Sequence, residues 1–181
     1  MSSTSWTRRR FAQMGLCGAA AYPLAASWAA TRPEHWIELL NTHTSEVISV
    51  VFADAGGFIA TALARLEYFL RDFRVAETHP IDTGLYLQLA QLAQAARREP
   101  RFEVISGYRS PATNASLREA GHAVSAHSLH VEGRAIDVRL HGCASSRLRD
   151  FALQAAQGGV GFYPREDFVH LDTGRVRAWQ A

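Results

Sequence analysis

The spacing of apolar and polar residues changes period several times along the chain, and each change marks an element. Trp36 to Leu40 and Glu46 to Phe52 read as two short strands around the polar turn Asn41-Thr42-His43-Thr44-Ser45. The β-branched run Val47-Ile48-Ser49-Val50-Val51 is the stronger half, and Ala55-Gly56-Gly57 breaks it. From Phe58 to Phe73 the apolar positions Ile59, Leu63, Leu66 and Leu70 recur at four and three, the signature of an amphipathic helix, which Arg71-Asp72 and Arg74 end. Asp82 or Thr83 caps a second helix marked by Leu85, Leu89, Leu92 and Ala96, closing at Arg97-Arg98-Glu99-Pro100. Phe102 to Ser106 is a short strand, Thr113 to Ala120 a short helix, and Val131 to Leu140 a strand broken at its start by Gly133. Ser145 to Gln157 reads as helix, Gly158 to Tyr163 as a strand stopped by Pro164, and Phe168 to Asp172 as a last short strand. Helices come early and strands late, so the expected fold is α+β, with a small antiparallel sheet and helices packed on one side. No internal repeat or long linker interrupts it.

The first thirty residues follow a different plan. A basic cluster, Thr7-Arg8-Arg9-Arg10-Phe11, precedes an apolar stretch from Met14 to Ala26 and small residues around Ser27-Trp28-Ala29-Ala30. That is the order of an export signal, and the arginine pair resembles the twin-arginine type. The apolar run is about 13 residues, short of the roughly 20 that span a bilayer, and Pro23 interrupts it. The expected division is residues 1–29 as a signal and 30–181 as one domain in the periplasm or cell envelope, with no stable membrane span after cleavage.

Removing that leader changes the charge argument. The chain's 19 basic residues, all arginine, face 17 acidic ones, and Arg8, Arg9 and Arg10 belong to the leader. The rest is close to neutral, which removes the compositional case for a nucleic-acid partner. Of the two cysteines, Cys17 lies in the leader and Cys143 is left alone, so the mature chain forms no internal disulfide. Zinc sites of four cysteines, or of two cysteines and two histidines, are excluded on the same count. Cys143, between Gly142 and Ala144, has no Gly-x-Ser-x-Gly elbow or recognisable histidine partnership around it to suggest a hydrolase without metal.

The stretch Ser128-Leu129-His130-Val131-Glu132-Gly133-Arg134-Ala135-Ile136-Asp137 is the informative one. A His and an Asp seven apart suit a turn feeding a strand, with both side chains returning to one point and Gly133 allowing the sharp turn. His170, in Phe168-Val169-His170-Leu171-Asp172-Thr173-Gly174, is a third candidate. Two imidazoles and a carboxylate suit one zinc ion and leave a fourth position for water in a catalytic site. Taken singly these residues are weak evidence: a lone histidine in such a strand is usually a hydrogen-bonded core residue, and Asp137 alone reads as a capping or turn acid.

The pattern Ser-x-His-x-x-Gly-x-Ala-x-Asp with a distant His resembles the zinc site of the D-Ala-D-Ala carboxypeptidase and hedgehog-like metallopeptidases. The similarity extends furthest to the murein endopeptidase K-like subgroup. It covers Asn41 to Thr44, Leu70-Arg71-Asp72, Ile105 to Pro111, the metal segment, Gly158 to Pro164, Phe168 to Gly174 and Trp179. The resemblance implies a zinc peptidase acting on peptidoglycan crosslinks or stem peptides, with His130, Asp137 and His170 as ligands. It implies Arg109 in the Gly-Tyr-Arg turn as a cation aimed at substrate or oxyanion, and Tyr108 and Ser128 as substrate contacts. Many relatives carry a Glu three residues before the last His as general base. Here Asp167 stands there, one methylene shorter, with Glu166 before it, and Asp167 is the first choice for the base that deprotonates the zinc-bound water. Asp172 is expected to orient a ligand His. His127 is read as an exposed loop residue with a spare-ligand or substrate-contact alternative, His122 shares its loop, and His35, His43, His79 and His141 are read as structural or exposed. The alternative function is a non-catalytic wall-binding module whose metal is closed off by a fourth protein ligand, His127 or Asp172.

Overall fold

The computed structural model describes residues 35–121 and 124–181. The expected leader, with Arg8 to Arg10 and Cys17, and the loop residue His122 lie outside the described residues. No described helix is long and apolar enough to cross a membrane.

The chain begins with β1 (His35–Asn41) and β2 (Val47–Asp54), joined by the expected polar turn. The side chain of Asn41 builds that turn, its Oδ1 accepting from the backbone N–H of His43 at 2.9 Å and of Thr44 at 3.1 Å. After Asp54 the chain does not enter a helix at once. It turns and pairs Gly57 and Phe58 back onto β2 as a two-residue β3. Helix α1 is therefore Ala60–Phe69, shorter than its periodicity suggests. Leu70 to Asp72 leave the helix to hold the site from behind, as described below. Helix α2 (Thr83–Ala95) starts where its cap predicts, with Asp82 Oδ1 accepting from the Gly84 N–H at 2.9 Å. Then come β4 (Arg101–Ser106), α3 (Pro111–Glu119), a 3-10 turn (Leu129–Glu132), β5 (Ala135–Leu140), α4 (Ser145–Ala155), β6 (Gly159–Tyr163), β7 (Phe168–Asp172) and β8 (Arg177–Gln180).

All eight strands form one sheet in the order β3-β2-β1-β4-β5-β7-β6-β8. The fold is α+β as expected, and the sheet is mostly antiparallel. The β1–β4 and β6–β8 pairs are parallel, because each pair is connected through intervening elements rather than a hairpin. The final strand β8 went unpredicted: Arg177-Ala178-Trp179-Gln180 is too short and mixed to carry a period of its own.

Because side chains alternate across a strand, the sheet has two distinct faces. Ile37, Leu39, Ile136, Val138, Leu140, Val169 and Leu171 line one face and join the buried core. Helix α1 packs on β2, α2 on β1 and β5, and α4 on β5, β6 and β7. The opposite face of β5 and β7 carries Asp137, His170 and Asp172, which are also buried. A polar row inside a sheet, where apolar residues would pack as well, needs hydrogen-bonding or a ligand to be tolerated.

Candidate metal centre

The sheet register draws the site together. Asp137 on β5 pairs with His170 on β7, which pairs with Gly161 on β6, which pairs with Trp179 on β8. These four positions form one row across the open face. His130 arrives from outside the sheet, on the 3-10 turn that ends at Gly133 in the left-handed conformation (φ +66°). That conformation returns the chain sharply into β5.

At the centre, three side-chain atoms meet. His130 Nε2 lies 3.2 Å from His170 Nδ1 and 3.3 Å from Asp137 Oδ1, and His170 Nδ1 lies 2.8 Å from that same oxygen. The other nitrogen of each imidazole is committed. His130 Nδ1 donates to the Gly107 carbonyl at 2.7 Å, and a carbonyl can only accept, so this nitrogen carries the proton. His170 Nε2 donates to Asp172 Oδ2 at 3.1 Å. With both rings neutral, the two inward nitrogens present lone pairs to each other and to a carboxylate oxygen. Three lone pairs facing one point repel unless a cation lies between them. Donors on a tetrahedral zinc, with bonds of about 2.0–2.1 Å, stand about 3.3 Å apart, so the triangle fits such an ion. Among the described residues His130, Asp137 and His170 are the one cluster that can hold a metal.

The electrostatics favour His130 and Asp137 as donors and differ at His170. Burial lowers the pKa of His130 and outweighs the pull of Asp137, which keeps the ring neutral and able to donate a lone pair. Burial opposes charge on Asp137 as well, but the two histidines hold its pKa far below the usual carboxylate range. For His170, burial favours the neutral ring but is outweighed by the hydrogen bonds to Asp137 and Asp172, which raise its pKa, so a metal ion at the centre would take the place of a proton on Nδ1.

The segment before α3 supports His130 from behind. Gly107 sits so close to Leu70 that a Cβ there would lie 2.6 Å from the Leu70 carbonyl oxygen. The Tyr108 N–H donates to that carbonyl at 2.9 Å. Fully buried Asp72 accepts from the Ser110 N–H at 3.0 Å and the Ser110 hydroxyl at 2.8 Å. These contacts fix the Gly107 carbonyl, which in turn fixes the His130 tautomer.

Arg109 lies at the site. Its Nη2 donates to Asp137 Oδ2 at 2.9 Å and its Nε to Ser106 Oγ at 3.0 Å. The guanidinium thus holds the second oxygen of the carboxylate, while Nη1 has no partner among the described residues. Asp172, fully buried, orients His170 as expected. Ser128 lines the cleft beside the triad, and so does exposed His127, which is not part of the donor cluster.

Two expected site residues are placed elsewhere. Tyr108 is no substrate contact: it is buried, stacks on His79 at 4.7 Å, and donates its hydroxyl to Glu77 Oε1 at 2.7 Å. Burial and Glu77 push its pKa up to about 12. Asp167 does not line the cleft. Its backbone is in the left-handed region (φ 54°), and its carbonyl accepts from Ser145 Oγ at 3.1 Å and from Arg139 Nε. Glu166 lines the cleft instead, but its carboxylate bonds to no described residue.

The cleft has a volume of about 690 Å³, with the triad at its base and Tyr163, Phe168 and Trp179 among its walls. Sequence reasoning missed Tyr163 and Phe168 as cleft residues. Both lie on the same open face as His170, a signal readable from alternation once β6 and β7 are paired.

The buried His-Asp-His set, the one such cluster among the described residues, with second partners on both imidazoles and a cleft above it, has the make-up of a metallohydrolase site. The chain belongs to the family described as peptidoglycan L,D-endopeptidase MepK, a family of metallopeptidases whose model matches residues 29–179. It is similar to the peptidoglycan L,D-endopeptidase MepK of Escherichia coli K12, at 41% identity over 175 residues, covering 95% of this chain and 96% of that one. The Shigella flexneri protein of the same name is similar to the same extent. The probable peptidoglycan L,D-endopeptidase MepK of Haemophilus influenzae is 38% identical over 141 residues, covering 77% of this chain and 76% of that one. No solved structure matches the chain.

Proposed function

We propose that His130, Asp137 and His170 hold one zinc ion, and that the chain is a zinc-dependent L,D-endopeptidase that hydrolyses peptide crosslinks of peptidoglycan. The observation that carries the reading is the meeting of three lone-pair donors at the base of the cleft. When bound there, zinc supplies Lewis-acid polarisation of a carbonyl and acidification of a water molecule.

The chain's own residues do the rest. Gly107 and Asp172 hold the two imidazoles in the tautomers that leave His130 Nε2 and His170 Nδ1 free to bind. Arg109 keeps Asp137 oriented through Oδ2 and offers Nη1 to the substrate carbonyl as negative charge develops, a contribution worth roughly 3 kcal/mol for a well-placed donor. Ser128 and the aromatic walls position the peptide.

A metal kept only for structure would be closed by a fourth protein ligand. Asp172 faces the outer nitrogen of His170 and His127 is outside the cluster, which supports catalysis over the wall-binding alternative. Peptidoglycan as substrate puts the protein in the periplasm or envelope, and export of residues 30–181 through a twin-arginine signal at 1–29 belongs to this proposal.

The test is digestion of crosslinked peptidoglycan with the purified domain, with and without chelator, followed by mass spectrometry of the muropeptides. Crosslinks between two diamino acids, where an L centre is the acyl donor, should be cut. Crosslinks donated by D-Ala should persist, and zinc should restore chelated enzyme. Cleavage that survives complete metal removal, or cleavage of D-Ala crosslinks alone, would refute the reading.

A further inference from the structure

The last strand, β8, brings two side chains to His170 from the side away from the triad. Its parallel pairing with β6 sets Arg177 opposite Gly159 and Trp179 opposite Gly161. Both glycines lie on the open face, and neither has room for a side chain. A Cβ at Gly159 would lie 2.3 Å from Asp172 Oδ2 and 2.4 Å from Arg177 Nη1, and one at Gly161 would lie 2.5 Å from the Trp179 ring. Arg177 and Trp179 therefore reach across β6 to β7. Arg177 grips Asp172 with two parallel bonds, Nη1 to Oδ1 at 3.0 Å and Nη2 to Oδ2 at 2.6 Å. The Trp179 ring packs against His170, with centroids 5.1 Å apart, and the Arg177 guanidinium lies over the indole, 5.1 Å from its centre.

We propose that Arg177 is a positioning residue for the metal centre: by holding Asp172 in a bidentate fork it fixes the tautomer and ring angle of His170. The proposal rests on the reading of His130, Asp137 and His170 as a zinc site. Asp172 has two oxygens and could turn about its Cβ–Cγ bond. Backbone N–H groups of Gly159 and Gly174 hold only Oδ1, at 2.9 and 2.8 Å. Among the described residues, the one donor on Oδ2 besides Arg177 is His170 itself. The Gly N–H groups anchor one oxygen, and Arg177, bonded to both, adds the restraint that keeps Oδ2 in line with His170 Nε2, which its planar fork does in a way that a lysine cannot reproduce. The competing role is plain charge compensation for a buried carboxylate, which any cation would satisfy.

The two roles separate in Arg177→Lys and Arg177→Met. Zinc dissociation constants are measured by competition with a chromophoric chelator. Melting of the metal-free proteins and the imidazole ¹⁵N shifts of His170 in the metal-free state are recorded alongside. A positioning role raises the zinc dissociation constant about 10–100-fold in R177M, the usual range for loss of an outer partner, and leaves R177K short of full rescue even where its melting temperature recovers. It also shifts His170 away from the pure Nε2–H form in both variants. Zinc affinity within twofold of wild type and an unchanged His170 tautomer, in R177K or in any R177M that folds, overturn the proposal in favour of charge compensation. Failure of the wild type to bind zinc would overturn the zinc reading instead, and the tautomer measurement on metal-free protein would still decide the part played by Arg177.

Discussion

Replacing Asp172 with Asn changes one atom and should disable the metal centre. The carboxylate accepts five hydrogen bonds. Oδ1 takes the N–H groups of Gly159 and Gly174 and Arg177 Nη1, and Oδ2 takes His170 Nε2 and Arg177 Nη2. An amide can accept on one side only. It keeps most bonds by leaving its oxygen with the three donors and turning its NH₂ toward His170 and Arg177. His170 Nε2 must then accept, so the ring proton moves to Nδ1, 2.8 Å from Asp137 Oδ1, where the cation would lie. Metal binding has to displace that proton, and loss of such an outer partner costs about 10–100-fold in affinity. The metal-free fold suffers too. Arg177 loses its counter-charge, but its side chain is one-third exposed, so water softens the loss below the roughly 3–5 kcal/mol of a fully buried broken pair. About 2–3 kcal/mol, or a fall of about 5–10 °C in melting temperature for a domain of this size, is expected. Chelator competition gives the affinity, calorimetry the stability, and ¹⁵N shifts the His170 tautomer. A D172N protein that binds zinc within threefold of wild type, with His170 still protonated on Nε2, would refute the tautomer argument.

Asp167→Asn should leave kcat/KM within about twofold of wild type, because Asp167 holds the β6–β7 turn through its backbone; a loss of 100-fold or more in muropeptide release would restore it as the base. Gly107→Ala should weaken zinc binding at least tenfold, since the new Cβ meets the Leu70 carbonyl and shifts the acceptor of His130 Nδ1; unchanged affinity by chelator competition would contradict this. Asp72 titrates below its ordinary range because hydrogen bonds from Thr113, Ser110 and Arg74 outweigh the burial that opposes its charge. Its pKa being lower folded than unfolded, its stabilisation is complete above the unfolded value of about 3.9 and disappears as pH falls through the folded value. The gap in melting temperature between wild type and Asp72→Asn should therefore be widest near neutrality and narrow below pH of about 3.9; a gap independent of pH would disprove the linkage.

What the sequence disclosed and what it withheld follow from range. Asp82 as a cap, the α2 stripe and the β-branched run of β2 are local signals, and each element formed close to where its residues indicate. The end of α1 was misjudged because Leu70 and Asp72 are claimed by contacts with Tyr108 and Ser110, far along the chain. Tyr108 and Asp167 were placed by position in a motif, which fixes a residue's neighbours but not the direction of its side chain. Arg177 sits in no periodic run at all. Its importance is visible only when the register of β8 against β6 is known.

That register explains why the site's support comes from an edge strand. On the open face, positions 159 and 161 of β6 are glycines, so the neighbouring strand's side chains can lie over β6 and reach β7. Larger residues at 159 and 161 would fill the row, exclude Arg177 and Trp179, and leave His170 held by the metal side alone. The Gly159-Val160-Gly161 alternation thus has two consequences. Val160 supplies the helix-facing core, and the glycines open the other face so that the outer nitrogen of His170 is fixed before any ion arrives. Preorganisation of this kind lowers the ordering that binding must otherwise impose, and it makes the identity of residues 159 and 161, remote from the reacting atoms, a determinant of metal affinity.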